Sequence, residues 1–329
     1  MVLTRTPLRV SFAGGGTDLA DFYEREYGAV LSTAIDKYIY VTVKRHGEVF
    51  NERIRLNYSK SEGVARIDEI ENNIARECLR FLEVEPPIYI STVGDLPAST
   101  GLGGSSSFAV GLLNALHAYR GERVSAGQLA EEASYLEIEV LKEPIGKQDQ
   151  YAAAFGGLNF LRFNPGGGVT VEPVRVRNGM LEELFSHIMI FWTGHQRDTS
   201  QVLTEQKANT AKKFDDLLQM RQHAHRLHSL TCNGRFDPDA FGGILDETWQ
   251  LKRQLAHTIS NQQIDTWYEQ AMKAGASGGK ICGAGGGGFL LFVVKPDCQE
   301  AVRQALRGLP EVAISCEVHG SQVIMPFLH

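Results

Sequence analysis

From Leu8 to Phe12 apolar and polar residues alternate, the period of a half-buried strand. Val30 to Val43 and Ile54 to Tyr58 are rich in β-branched and aromatic residues and predict further strands. Thr17-Asp18 reads as the N-cap of a helix running to about Tyr27. Ile67, Ile70, Ile74, Leu79 and Leu82 fall at roughly helical spacing, and Ile88 to Val93 returns to strand. Helical patterns follow over about 105–119, 125–141 and 147–154. A hairpin pattern comes next, 157–163 and 169–174, joined by Asn164-Pro165-Gly166-Gly167-Gly168. The second half predicts a strand over 187–192 and helices over 199–230, 237–256 and 261–274. It closes with strand, helix, strand, strand at 288–294, 297–307, 312–318 and 321–325. Runs of strands mixed with runs of helices predict an α+β architecture. Charged residues around 175–186 separate two apolar-patterned halves, so two domains are expected, 1–180 and 181–329.

Composition narrows the function classes. A net charge of −6, with no basic run of five or more, argues against a nucleic-acid partner. The longest apolar stretches, such as Phe289 to Val294, are strand-length and far short of a membrane span. The N-terminus leads into a strand pattern without a signal-peptide layout. Five cysteines with no C-x-x-C spacing make a disulfide framework or a structural zinc site unexpected, so a cytoplasmic location is expected. What changes the picture is glycine, 34 of 329 residues, dense in three clusters beside strand-like runs.

Pro97-Ala98-Ser99-Thr100-Gly101-Leu102-Gly103-Gly104-Ser105-Ser106-Ser107 lies between a strand and a helix starting near Ser105. Glycines let successive N–H groups turn inward, and the helix N-terminus adds positive partial charge, a cradle suited to polyphosphate. A serine hydroxyl can serve the magnesium that travels with a nucleotide. No Gly-Lys-Ser/Thr ends the segment, so it is not a common P-loop, and a serine-capped flexible loop is the alternative. Gly283-Ala284-Gly285-Gly286-Gly287-Gly288 runs directly into the strand 289–294, the reverse of a dinucleotide fingerprint. It reads as a glycine loop packed against a ligand or another loop, or as a tight turn between layers. Gly14-Gly15-Gly16-Thr17-Asp18 follows Arg5-Thr6-Pro7-Leu8-Arg9, a strand end where Arg and Asp flank a turn that can meet an anion and sugar hydroxyls.

In this order the three clusters resemble the three motifs of the GHMP kinases. Pro7 to Asp18 resembles the first, Gly101 to Ser106 the second and Lys280 to Gly288 the third, spanning most of the chain. The resemblance implies a two-domain fold with a ribosomal-protein-S5-like N-terminal domain and a ferredoxin-like C-terminal domain. Arg5 to Asp18 and Gly146-Lys147-Gln148-Asp149-Gln150 are most similar to the stand-alone heptose kinases, which phosphorylate the anomeric hydroxyl of D-glycero-α-D-manno-heptose 7-phosphate. Fucokinase-type and glucuronokinase-type domains share much of the pattern. One departure is Gly103-Gly104-Ser105-Ser106 where family members often have Gly-Leu-Gly-Ser-Ser.

The resemblance implies ATP and Mg²⁺ as cofactors and a sugar phosphate as partner, with a monomer or homodimer expected. Asp149 would take or orient the acceptor proton, and Arg9 would stabilise developing charge beside it. Pro97, Gly101, Leu102, Gly103, Gly104 and Ser105 to Ser107 would bind nucleotide. Ser105 or Ser106, with Glu137, would serve the metal; Glu139 competes with Glu137. Gly16, Thr17, Asp18, Gly285 and Gly286 would face the substrate. Lys147, and Arg197 after the Thr193-Gly194 turn, are candidates for a distal substrate phosphate. His223, His225 and His228 read as surface histidines, and Cys282 as a small buried filler. A diphosphate-dependent decarboxylase and a non-catalytic binding protein are the other classes this fold offers.

Overall fold

The computed structural model describes residues 1–47, 49–196, 199–232 and 236–325. The chain opens with β1 (Val2–Ala13), the four-residue helix α1 (Ala20–Tyr23) and the long strand β2 (Gly28–Arg45). After β3 (Ile54–Asn57), β4 (Ser61–Val64), α2 (Asn73–Phe81) and β5 (Ile88–Gly94) comes α3 (Gly104–Tyr119). Helices α4 (Ala126–Ser134) and α5 (Gln148–Phe155) follow, then the hairpin β6 (Leu158–Phe163) and β7 (Val169–Pro173). These strands form one sheet in the order β4-β3-β5-β2-β1, with β6 and β7 continuing from the first half of β2. Successive side chains on a strand point to opposite faces. On β2, Val30 enters one core with α3 and α4, while Ala29 and Leu31 enter a second, so the sheet is covered on both sides.

The second half contains α6 (Met180–Ser186), β8 (Ile188–Trp192), α7 (Thr199–Asn209), α8 (Phe214–Cys232), α9 (Pro238–Lys252) and α10 (Gln262–Lys273). It ends with β9 (Ala276–Ile281), β10 (Phe289–Val294), α11 (Gln299–Ala305), β11 (Glu311–Val312) and β12 (Gln322–Met325). β11, β8, β10 and β9 form an antiparallel sheet. Leu291 and Val293 of β10 share a core with Leu8, Val10 and Phe12 of β1; Leu290 and Phe292 face Trp249 and Tyr268 on the other side. That middle core fastens the two halves together beside the motif-bearing end of β1. Among the described residues no helix is long and apolar enough to cross a membrane.

The architecture is mixed α and β, as the pattern predicts, with several local differences. The helix expected from Thr17 to Tyr27 runs only from Ala20 to Tyr23, and Asp18 spends its carboxylate on Gly16 N and Gln148 N rather than on a cap. The helix expected over 199–230 is two, α7 and α8. Most of 312–318 is irregular, holding to β2 through an isolated bridge between Ile35 and Cys316 and through Ser315 bonds to the Asp36 carboxylate. β12, from the expected second domain, pairs with β1 in the first sheet.

Candidate active site

Arg9 points from β1 into the gap between the halves with its side chain 4% exposed. Its Nε and Nη2 donate to the two carboxylate oxygens of Asp149, both at 2.7 Å, while Nη1 donates to the Gly101 carbonyl, also at 2.7 Å. A guanidinium matches a carboxylate in this forked geometry, and a third bond to the glycine loop fixes the fork's plane. Burial works against the Arg9 charge, but Asp149 more than compensates, so its pKa is raised. Asp149 sits in the first turn of α5 and remains one-quarter exposed.

The loop ahead of α3 is shaped by close approach. Gly101 takes φ +81°, and a Cβ there would stand 2.5 Å from the Cys282 carbonyl oxygen. A Cβ on Gly283 would stand 2.4 Å from Gly101 Cα. The second and third glycine motifs are therefore backbone against backbone, which only glycine permits. The third cluster joins β9 to β10 as a hairpin turn, not a strand to a helix.

Glu137 projects from a π-helical turn, Tyr135–Val140, that extends α4. It is 1% exposed; Ser105 Oγ donates to Oε1 at 2.8 Å and Gln150 Nε2 to Oε2 at 2.7 Å. Burial pushes its pKa up to about 7 against the pull of bonds from Ser106, Ser105 and Gln150. Asp18 is 3% exposed and accepts from Gly16 N at 2.9 Å and Gln148 N at 3.3 Å. Burial raises its pKa, and the nearby Asp149 charge adds to the rise despite those bonds.

Two clefts meet on the Arg9–Asp149 pair. One is about 340 Å³ and lined by Gly101, Gly103, Gly104, Ser105, Ser106 and Glu137. The other is narrower and lined by Gly15, Gly16, Asp18, Gln148, Gln206 and Lys252. Arg9, Ile145, Asp149, Leu203, Gly283 and Ala284 line both. A third cavity, more apolar, lies beyond the glycine loop among Tyr58, Leu96, Pro97, Ser99 and Phe108.

The structure thus gathers Arg9, Asp149, Gly16, Asp18, Glu137, Ser105, Ser106 and the loop glycines Gly101, Gly103 and Gly104. Pro97 lines the apolar cavity instead. Other expected residues have different places. Leu102 is buried in the middle core, and Ser107 Oγ is bonded to the Pro7 carbonyl at 2.8 Å. Thr17 Oγ1 bonds the Gly14 carbonyl at 2.7 Å and serves the turn. Lys147 Nζ donates to the Gly167 carbonyl at 2.7 Å, away from both clefts. Gly285 and Gly286 pack on Ile259, and their neighbours Gly283 and Ala284 line the clefts. Arg197 lies outside the described residues. Glu139 is exposed and paired with Lys142.

His223, expected at the surface, is buried against Thr248 Oγ1 at 3.0 Å, while His225 and His228 lie against the Phe160 ring. The buried face of α8 claims them through packing that no local spacing signals. Cys282 is buried, and burial raises its thiol pKa. Among the cleft residues given no role from the sequence are Gln148, Leu203, Gln206 and Lys252. For Lys252 a signal existed, since it lies seven residues after Leu245 and three after Trp249, on the apolar face of α9.

Oxygen donors from Ser105, Ser106 and Glu137 suit a hard divalent cation. A buried carboxylate with a raised pKa is what such a cation would stabilise as the anion. Among the described residues no group of three or more His, Cys, Asp or Glu could hold a metal ion.

Comparison with known proteins shows the family. The family profile "GHMP kinases N terminal domain" matches residues 69–157, and "GHMP kinases C terminal" matches 229–311, together just over half of the chain. A D-glycero-alpha-D-manno-heptose 7-phosphate kinase of Campylobacter jejuni is 29% identical over 93% of both chains. A galactokinase of Pyrococcus furiosus is 24% identical over 93% of this chain and 92% of its own. The crystal structure of a D-glycero-D-manno-heptose 1-phosphate kinase from Bacteriodes thetaiotaomicron superposes with a TM-score of 0.81 at 25% identity, covering all of both chains. With both family domains matched and a forked Arg–Asp pair set between a glycine loop and a second cleft, the chain belongs to the GHMP kinases.

Proposed function

We propose that this protein is an ATP-dependent sugar kinase that phosphorylates the anomeric hydroxyl of a heptose 7-phosphate, D-glycero-α-D-manno-heptose 7-phosphate, to the 1,7-bisphosphate. The observation that carries the reading is that Asp149 and Arg9 stand on the wall shared by two clefts. One cleft has the loop glycines and helix N-terminus that receive phosphates; the other has the buried Asp18 and the Gln148 amide that suit sugar hydroxyls. Similarity to heptose phosphate kinases supports the sugar, and galactokinase similarity supports a reducing sugar in general.

In this reading Asp149 accepts the proton of the attacking hydroxyl while that oxygen bonds to the γ-phosphorus. The bond from phosphorus to the bridging oxygen breaks, and its electron pair leaves with ADP. The transition state is loose and anionic, so the chain's task is positioning and charge neutralisation. Arg9 holds the carboxylate at the junction and places a fixed cation there. Ser105, Ser106 and Glu137 would hold Mg²⁺, whose charge would offset that of the phosphates. The apolar cavity around Pro97 suits the base of the nucleotide. An anomeric hydroxyl is more acidic than an ordinary alcohol, which eases the demand on Asp149.

The test is ADP release with Mg²⁺ across a panel of reducing sugars and sugar phosphates, with phosphorus NMR of the product. Turnover of heptose 7-phosphate with a new signal from a C1 phosphate is expected. Turnover of fucose or a uronic acid in its place would reassign the sugar. Phosphate at another carbon would overturn the anomeric assignment.

A further inference from the structure

Lys252 is the last residue of α9, in the half of the chain that carries the third glycine motif. It is 6% exposed and lines the Asp18 cleft but not the glycine-loop cleft. Arg9, the other cation on that cleft, is committed to Asp149. Among the described residues lining it, Lys252 is therefore the cation without a carboxylate partner. Its ammonium donates to the Gly283 carbonyl, and an ammonium has three protons to give.

A buried lysine bonded to one neutral carbonyl opposes folding, since an apolar side chain would pack there without desolvating a charge. Such a charge fits a role toward an oxygen that occupies the cleft during the reaction. Gly283 tells where that oxygen lies: it lines both clefts and packs on Gly101 of the glycine loop. The ammonium is thereby placed beside the wall shared by the two clefts, where the proposed function has the attacking hydroxyl meet the phosphoryl group.

We propose that Lys252 is a substrate-binding residue that donates to the acceptor sugar at its reacting end, so that α9 of the second half completes a site whose proton acceptor comes from the first. This rests on reading the Asp18 cleft as the acceptor site. When the hydroxyl proton passes to Asp149, the cation offsets charge on the oxygen forming the new bond to phosphorus. Burial brings the Lys252 pKa down to about 8; Arg9 adds to the fall, while Cys282, Asp18 and Asp149 oppose it. These groups come from β1, the turn after it, α5 and the β9–β10 turn. Lys280 of β9 also faces it, bonded to the Ser11 carbonyl at 2.7 Å. The protonated form is the active one, so acceptor kcat/KM falls as pH rises through about 8.

The experiment compares wild type, Lys252→Met and Lys252→Arg on free heptose and heptose 7-phosphate, with ATP affinity by calorimetry and thermal melts alongside. Lys252→Met should lower acceptor kcat/KM about 10- to 100-fold at pH 7. The loss should be equal on both sugars, with ATP affinity within about twofold and a thermal midpoint unchanged or raised. The alkaline fall near pH 8 should vanish in Lys252→Met, and Lys252→Arg should recover part of the rate. Should Lys252→Met not fold, Lys252→Gln keeps a donor for Gly283 and takes its place. A loss confined to the 7-phosphate would assign Lys252 to the distal phosphate and overturn the proposal, as would an unchanged alkaline limb. Wild type inactive on every sugar would instead bring down the kinase reading beneath it.

Discussion

Replacing Arg9 with lysine keeps a positive charge at the cleft and removes the fork. The wild-type guanidinium makes two bonds to Asp149 and one to Gly101 O, all at 2.7 Å. An ammonium reaching in from the same Cα can replace one of the three, because it is a compact point charge on a flexible stem. Charge-assisted bonds are worth about 1.5–3 kcal/mol each. Asp149 is one-quarter exposed, so water recovers part of what the carboxylate loses. Weighing two lost bonds against that resolvation gives about 1–3 kcal/mol of stability, read as a lower urea midpoint with unchanged slope. The effect on turnover should be larger than a displaced charge alone produces, because Asp149 loses its fixed plane. We expect kcat to fall about 10²- to 10³-fold, the range for removing one preorganised contact to a reacting group. ATP affinity should change by about threefold or less, since Gly101, Gly103 and Ser105 hold their places through α3 and the Cys282 backbone. Steady-state ADP release and urea denaturation on the same preparation decide the matter. A variant with near-wild-type kcat and lowered stability would show that the fork holds the fold together and does not orient Asp149.

Gly146→Ala should raise the acceptor KM about tenfold with little change in ATP affinity, because the new Cβ would lie 2.1 Å from Asp18 Oδ2 and push that carboxylate out of place; equal acceptor KM in both proteins would contradict it. A pH effect on stability centres on His117, buried between Glu122 at 2.6 Å and Glu132 at 2.8 Å. Burial opposes its charge, but the two carboxylates outweigh burial and raise its pKa. Its stabilisation is therefore complete below the unfolded value of about 6.5 and lost as pH climbs through the raised folded value. His117→Gln should cost about 1–2 kcal/mol at pH 6 and less at pH 9 in urea melts; a gap that widens with pH would refute the assignment.

Part of the candidate site was legible because each glycine motif carries its chemistry in adjacent residues. Asp149 and Arg9 were linked through the resemblance of the ordered motifs to a known family, and the structure sets their side chains 2.7 Å apart. The misses have a common physical cause. Lys147 and Lys252 are both lysines near helix ends, and only tertiary packing sends one to the Gly167 carbonyl and the other into the cleft. β9 went unread because Gly278 and Gly279 break a strand pattern. There the Gly242 backbone of α9 sits where a Gly278 side chain would go, with a hypothetical Cβ 1.8 Å from the Gly242 oxygen. The return of β12 to β1 is likewise set by pairing over more than 300 residues, which no local period encodes.

In the proposed function Asp149 handles the acceptor proton at the meeting point of the two clefts. Asp149→Asn keeps the size of the side chain and one acceptor oxygen for Arg9 while removing the basic carboxylate. Turnover and ATP affinity are measured together on this variant. In this variant kcat should be about 10²- to 10⁴-fold lower, with ATP affinity within about threefold of wild type. An asparagine variant that turns over sugar at the wild-type rate would contradict it.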